Sequence, residues 1–356
     1  MSQPAVEWDF ILNTLIDGKC ILLIGPHVAR LSPEQPFLDG LYESLDIANN
    51  PHIASFYEKE DFFLFGSPQA KTRVYYQIKD YYKKNAPPPA LYEKLARLPF
   101  KMWINATPDR FLNDALDDLE IPYEFEYFDK SKARTDIPEP STARPVVYNL
   151  TGVLEEEESL ILTHSDLYQF LEAVLARQQI PGRLMNACLS AHSVIFLGFN
   201  FDKWHVQLML RLLRMHDEAG RHVRYATDQK FNADTLSVCK DQFQIEFINE
   251  DIEGFVGELY RRCEEEGALR EPGEKQESPA NQIRMLIAED ELEEALDRAR
   301  EYFEGRDEDL MMETLGIISR FNRLKKRMRQ GVLDERDADV QMAKVRQAIL
   351  ELTNEM

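Results

Sequence analysis

The chain has 356 residues, 44% of them hydrophobic and 10% aromatic, with 63 acidic against 42 basic side chains and a net charge of −21. Such a length exceeds one compact core and implies two or three domains, and the apolar content excludes a disordered chain. The acidic balance disfavours nucleic acid as a partner, because duplex affinity comes mainly from Lys and Arg neutralising phosphates.

In chain order, "VEWDFILNTLIDGK" carries apolar residues at helical spacing and closes on Gly18. The continuous apolar run "CILLIG" follows, the pattern of a strand buried on both faces. Three further runs share it: "FKMWINA" (100–106), "PVVYNL" (145–150) and "SVIFLGF" (193–199). "HVRYAT" (222–227) and "FQIEFIN" (243–249) add two more strands. Helical patterns over 71–84, 89–97, 109–118, 165–178, 182–190, 202–218 and 251–266 lie between and around them. Strands alternating with helices predict an α/β fold: a doubly wound, Rossmann-like, mostly parallel sheet with helices on both faces. That domain is expected over residues 1–266, with a helical insertion around 40–95. The Gly-, Pro-, Glu- and Lys-rich stretch from 267 to 278 reads as a linker. Residues 279–356 are helical throughout and predict a small all-α bundle. Its first helix is "NQIRMLIAEDELEEALDRAREYF", its second is stopped by Gly331, and its last carries apolar residues at 340, 342, 345, 349 and 352.

Cys20, Cys188, Cys239 and Cys263 lie far apart, without a C-x-x-C pair, so neither a disulfide framework nor a zinc cluster fits and no metal is expected. The N-terminus lacks a basic segment followed by an apolar one, and no apolar run approaches the ~20 residues that span a bilayer. The expected location is the cytoplasm, with no membrane partner.

In an open parallel sheet, ligands bind beyond the carboxyl ends of the strands. Four strand ends therefore hold the candidate residues. After the first strand, Gly25-Pro26-His27 combines a sharp turn with an imidazole. Next, Thr107 before Pro108 is placed to cap a helix, with Asp109 in its first turn. The third end is Leu150-Thr151-Gly152, followed by "SLILTHSDLYQF", where Thr163 or Ser165 caps a helix and His164 faces solvent. The fourth is Gly198-Phe199-Asn200-Phe201-Asp202, with Asp202 a helix cap and His205 on a helix face.

The order and spacing of these four elements resemble the sirtuin-like NAD-binding fold, in the divergent branch associated with bacterial defence. Gly25-Pro26-His27-Val28-Ala29 stands at a Gly-Ala-Gly-x-Ser turn, and Asn105-Ala106-Thr107-Pro108-Asp109 at Thr-Thr-Asn-x-Asp. Leu150-Thr151-Gly152 stands at Leu-His-Gly, and Gly198 to Asp202 at a Gly-Tyr/Phe-Ser signature. The resemblance implies NAD as ligand or substrate. It places Gly25, Pro26, His27, Thr107, Asp109, Gly152, Gly198, Asn200 and Asp202 around the nucleotide. It makes Asp109, Thr107, Thr151 and His27 the candidate catalytic residues, Asp109 being the carboxylate nearest the ribose. Active members release nicotinamide or transfer the ADP-ribosyl unit, using a His as general base and an Asn to position water. Here Thr107 and Thr151 occupy those two positions, and a threonine hydroxyl is no base near neutral pH without an activating partner.

"RFNRLKKRMRQGVLDERDADVQMAKVRQAILELTNEM" resembles the end of a bacterial effector-associated domain, an adaptor that pairs with a matching copy on a partner protein. Residues 289–313 are acidic and 320–329 basic, a layout suited to head-to-tail association and a homo-oligomer. The resemblances together imply a defence effector that binds NAD or a related nucleotide and, on assembly, hydrolyses it as a nicotinamide-releasing NAD hydrolase. The alternative is a catalytically inactive sensing or scaffolding protein built on the same fold.

Overall fold

The computed structural model describes residues 6–130, 135–177, 180–216, 223–227, 231–273, 279–303, 308–330 and 334–353. The chain divides into two compact units, Met1–Gly273 and Glu274–Met356.

In the first unit, α1 (Trp8–Ile16) leads into β1 (Cys20–Ile24). A short hairpin of β2 (Arg30–Ser32) and β3 (Gln35–Pro36) runs into α2 (Phe37–Ser44). A second hairpin, β4 (Ile53–Tyr57) and β5 (Phe62–Phe65), precedes α3 (Pro68–Lys84). There follow α4 (Pro89–Arg97), β6 (Met102–Asn105), α5 (Phe111–Asp118), β7 (Glu124–Tyr127) and β8 (Val146–Asn149). Then come α6 (His164–Arg177), α7 (Gly182–Ser190), β9 (Ser193–Leu197), α8 (Trp204–Leu212) and β10 (Val223–Thr227). The unit closes with α9 (Ala233–Phe243), β11 (Ile245–Ile248) and α10 (Ile252–Glu265).

Seven strands form one all-parallel sheet in the order β11-β10-β9-β1-β6-β8-β7. Strand side chains alternate between two cores, as the period of two requires. Ile21, Leu23, Ile104, Tyr148 and Phe196 face α6 to α9 on one side. Leu22, Ile24, Trp103, Val147 and Leu197 face α1, α4, α5 and α10 on the other. The doubly wound, Rossmann-like sheet expected from the apolar runs is present. From β1 the chain crosses to β6 on one side and later returns to β9 on the other, so the crevice between the ends of β1 and β9 is the switch point.

Several local expectations are corrected. The region 40–95 is not purely helical: it contains the β4–β5 hairpin, whose Phe63 packs with Leu41, Val74 and Ile78 in a separate small core. Helix α5 starts at Phe111, not at Pro108, because the Asp109 carboxylate accepts from the Phe111 amide at 3.2 Å and shapes the turn before it. Asp202 caps no helix; Lys203 precedes α8, while Asp202 accepts from the Asn232 side chain at 2.7 Å. Of the expected linker, residues 267–273 are anchored on the α/β unit. The Arg270 guanidinium donates to the carbonyls of Ala96, Leu98 and Phe100, and the Gly273 amide donates to Leu119 O at 2.9 Å. Residues 274–278 lie outside the described residues.

The second unit holds α11 (Pro279–Ala288), α12 (Leu292–Phe303), α13 (Glu308–Arg329) and α14 (Glu335–Leu352). Ile283, Leu296, Phe303, Phe321, Val345 and Ile349 make its core. The single first helix expected there is two, broken where Asp290 takes a left-handed φ of 65°. Gly331 lies outside the described residues. Part of the opposite charge pairs within the unit, Lys325 with Glu293 and Arg346 with Asp290.

Candidate functional site

The turns after β1 and β9 interlock. Gly25 donates its amide to Leu197 O at 2.8 Å, and His27 donates its amide to Gly198 O at 3.0 Å. A Cβ at Gly198, whose φ is +68°, would stand 2.5 Å from Val28 N; one at Gly25 would stand 2.5 Å from Gly198 O. Only glycine permits that approach. The consequence is chemical as well as steric. The amides of Gly25, His27 and Val28 all bond within the protein, and Pro26 has none, so this turn offers no free row of N–H groups to a phosphate.

Beneath the next two strand ends lies a buried polar chain. Asn105 Nδ2 donates to Asn149 Oδ1 at 2.9 Å, and Asn149 Nδ2 donates to Asp109 O at 2.9 Å. Asp109 is 6% exposed, and burial pushes its carboxyl up to about 6 against the opposing contacts of the Thr107 hydroxyl and the Phe111 amide. Tyr82 and Tyr92 stand near enough for its charge to raise their own hydroxyls further above the usual range. Thr107 is likewise buried.

At the third end, Gly152 takes a φ of +88°, and a Cβ there would meet Ser159 O at 2.4 Å. The helix start behind it is a capping box. The Asp166 amide donates to Thr163 Oγ1 at 3.1 Å, and the Thr163 amide donates to the Asp166 carboxylate at 3.0 Å. Burial would raise Asp166, but Lys71 at 2.7 Å and Lys130 at 3.1 Å outweigh it and hold the carboxyl below its ordinary range. The capping role expected of Thr163 is therefore met. His164 does not simply face solvent: its ring stands edge-on to Tyr57 and Phe62, with centroids 4.9 and 4.8 Å away.

One cavity of about 190 Å³ opens at these ends. The strand-end loops line it with Pro26, His27, Ala106, Pro108, Thr151, Phe199 and Asn200, and the β4–β5 hairpin closes it with Glu60, Asp61, Phe62 and Phe63. Helix α8 adds His205 and Met209, and Lys203 joins them from just before it. Of the sequence candidates, His27, Pro26, Thr151 and Asn200 thus meet around one space. Thr107, Asp109, Gly25, Gly152, Gly198 and Asp202 do not line it; Asp109 is buried, and its backbone carbonyl accepts from the Asn149 side chain.

Three polar atoms on the cavity wall are buried without a hydrogen-bond partner: His27 Nε2, Thr151 Oγ1 and His205 Nδ1. Burial, reinforced by the Lys203 charge, lowers both imidazoles to about 4, so both are neutral at physiological pH. Burial also brings the Lys203 ammonium down to about 8, and its partner is the Asp61 carboxylate. His205 is more than a helix-face residue, and Lys203 and Asp61 carried no signal in the sequence. Lys203 reads there as one more polar residue before a helix, and Asp61 belongs to a hairpin the periodicity did not reveal. Burial raises all four thiols, Cys20, Cys188 and Cys263 to about 12 and Cys239 to about 11, which leaves them inert. Among the described residues, no group of three or more His, Cys, Asp or Glu is placed to hold a metal ion. No helix among them is long and apolar enough to cross a membrane.

Comparison with known families agrees with the expected order of the two domains. Residues 107–248 match the model of the SIR2-like domain, and residues 278–356 match effector-associated domain 11. The chain therefore carries a SIR2-like domain followed by an effector-associated domain, a pairing that fits a defence-system effector. The SIR2-like match begins after β6, so the Gly25 turn lies outside it. No curated protein matches the chain.

Proposed function

We propose that this chain is an effector of a bacterial conflict or antiphage defence system. Its α/β domain, residues 1–266, would bind NAD or a related nucleotide, and its helical domain, residues 279–356, would recruit a protein partner carrying a matching effector-associated domain. The observation that carries the reading is the set of three partnerless buried atoms around one cavity. Buried polar groups are ordinarily satisfied, so His27 Nε2, Thr151 Oγ1 and His205 Nδ1 together call for a polar ligand seated between them. A ribose or amide group suits that donor and acceptor set, because a neutral imidazole and a hydroxyl each both give and take hydrogen bonds. Asn200 stands on the same wall as a further contact.

Nicotinamide release on assembly is the activity this site would support, with His27 as the imidazole nearest the β1 turn. A specific observation favours the second reading, a sensing or scaffolding protein without turnover. Thr151 takes the place of the base, and Asp109 is buried behind the cavity wall rather than in it. Loss of a placed base ordinarily costs ~10²–10⁴-fold in rate.

Nicotinamide release from NAD by the purified chain, alone and with its C-terminal domain forcibly clustered, separates the two. Release that His27→Ala abolishes supports the hydrolase. Binding without release supports the sensor. Absence of both binding and release would overturn the nucleotide reading.

A further inference from the structure

Among the described residues, Lys203 is the one lysine or arginine lining the cavity, and it is 8% exposed. A buried ammonium needs an anionic partner. Its partner comes from far along the chain: Asp61, at the tip of the β4–β5 hairpin, where the backbone takes a left-handed φ of 60°. The same tip is seated by Phe62, whose ring lies 4.8 Å from that of His164 and 5.0 Å from that of His205. The hairpin thus carries two carboxylates into the cavity, Asp61 paired with Lys203 and Glu60 beside it, while the neighbouring imidazole atoms stay without partners. Lys203 also stands immediately before the first turn of the nine-residue α8, where the helix dipole adds positive potential and no side chain caps the free amides. The β1 turn, by contrast, has no amide to spare for an anion.

We infer that Lys203 is the anion-recognition residue of this cavity, that it selects a phosphate-bearing ligand, and that Asp61 is the resident carboxylate which the ligand phosphate displaces. The inference rests on the proposed nucleotide reading and deepens it by naming the group that is recognised and where. Hydrogen bonds from a buried ammonium to phosphate are charge-assisted and directional enough to decide between phosphorylated and unphosphorylated ligands. Exchange of one anion for another keeps Lys203 paired throughout, so no bare charge is left buried. Removal of the Asp61 charge leaves Lys203 with Glu60 as the nearby carboxylate and no ion-paired competitor to displace, whereas removal of the Lys203 charge leaves no site for the phosphate.

The test is calorimetric titration of the full chain with NAD, ADP, inorganic pyrophosphate and nicotinamide riboside, which lacks phosphate. Asp61→Asn should tighten NAD, ADP and pyrophosphate by about 5- to 50-fold, since displacement of a charged competitor is no longer required. Lys203→Met should weaken them by about 10- to 100-fold and change nicotinamide riboside less than 3-fold. Because Lys203→Met alone leaves Asp61 without its partner, the double variant Asp61→Asn with Lys203→Met serves as the paired comparison and should lose phosphate ligands to the same extent. NAD binding that is equal in the wild type and in the double variant overturns the inference while leaving the nucleotide reading intact. Lys203-dependent binding of ADP and pyrophosphate without NAD binding supports the inference and overturns NAD as the ligand. Absence of all four ligands from the wild type overturns both.

Discussion

Replacement of Gly198 by Ala tests the interlock that builds the switch point. Its φ of +68° belongs to the left-handed region, where an alanine costs about 1 kcal/mol more than glycine. The new Cβ would stand 2.5 Å from Val28 N and 2.9 Å from His27 C, which are backbone atoms and cannot swing aside as a side-chain tip would. Relief requires the β1 turn to move out, breaking the 3.0 Å bond from the His27 amide to Gly198 O, worth about 1 kcal/mol, with lost packing of similar size. The sum is about 2–4 kcal/mol. All three tryptophans, Trp8, Trp103 and Trp204, lie in the α/β unit, so urea unfolding followed by tryptophan fluorescence reads that unit alone. Gly66→Ala is the control, because nothing stands within 4 Å of its added Cβ. A Gly198→Ala loss no larger than the control, about 0.5 kcal/mol or less, would refute the interlock.

Four further outcomes are expected. Between pH 6.5 and 4 the unfolded chain binds protons that the neutral His27 and His205 refuse, so each makes stability fall on acidification, by up to about 3 kcal/mol. Asp109 acts with the opposite sign: its carboxyl, raised from 3.8 to about 6, contributes stability below pH 3.8 that is lost as pH rises through 6. Asp109→Asn should therefore stabilise the fold at pH 7.5 by about 1–3 kcal/mol and steepen its loss on acidification; urea midpoints at pH 4.5 and 7.5 check this, and destabilisation at pH 7.5 would contradict it. Asn149→Leu should cost about 2–4 kcal/mol, because Asn105 Nδ2 and Asp109 O both lose their partner, and a double-mutant cycle with Asn105→Leu should show coupling above about 1 kcal/mol. Deletion of residues 279–356 should abolish self-association in analytical ultracentrifugation while the tryptophan-monitored transition of the α/β unit stays in place; unchanged sedimentation would count against the adaptor role.

The sheet was legible in the sequence because strands buried on both faces leave unbroken apolar runs, as "CILLI" and "SVIFL" do. Elements without that signature were missed for physical reasons. Strand β7, "EFEY", is half-buried at the sheet edge and carries two glutamates, so no apolar run marks it. Helix α9 buries only Thr235, Cys239 and Phe243, too sparse a stripe to stand out, and its start is set by Asn232 accepting from the Thr235 amide. The hairpin of β4 and β5 exposes much of its first strand, which blurs its alternation and lets the region pass for helix. The break between α11 and α12 falls at an aspartate in a left-handed conformation, without the Gly or Pro that ordinarily announces one.

The candidate site divides along the same line. The four strand ends, with His27, Thr151 and Asn200, could be located from runs that end in Gly or polar residues. The wall opposite them could not, because Asp61 and Lys203 meet only through tertiary packing, and the neutrality of His27 and His205 comes from burial rather than from neighbours in sequence. Asp109 shows the converse: a carboxylate at the right spacing that the fold buries outside the cavity lining, where it accepts from the Phe111 amide.

The proposed function places a nucleotide in the cavity at the ends of β1, β8 and β9. Met209 lines that cavity, whereas Met285, Met312 and Met328 are exposed on the helical unit. Methyl spectra of the full chain with ¹³C-labelled methionine, titrated with NAD, therefore test the claim at one atom. The account predicts a saturable shift of the Met209 methyl with the three helical-unit methyls unmoved. A Met209 signal that stays fixed at millimolar NAD, or shifts confined to the helical unit, would contradict it.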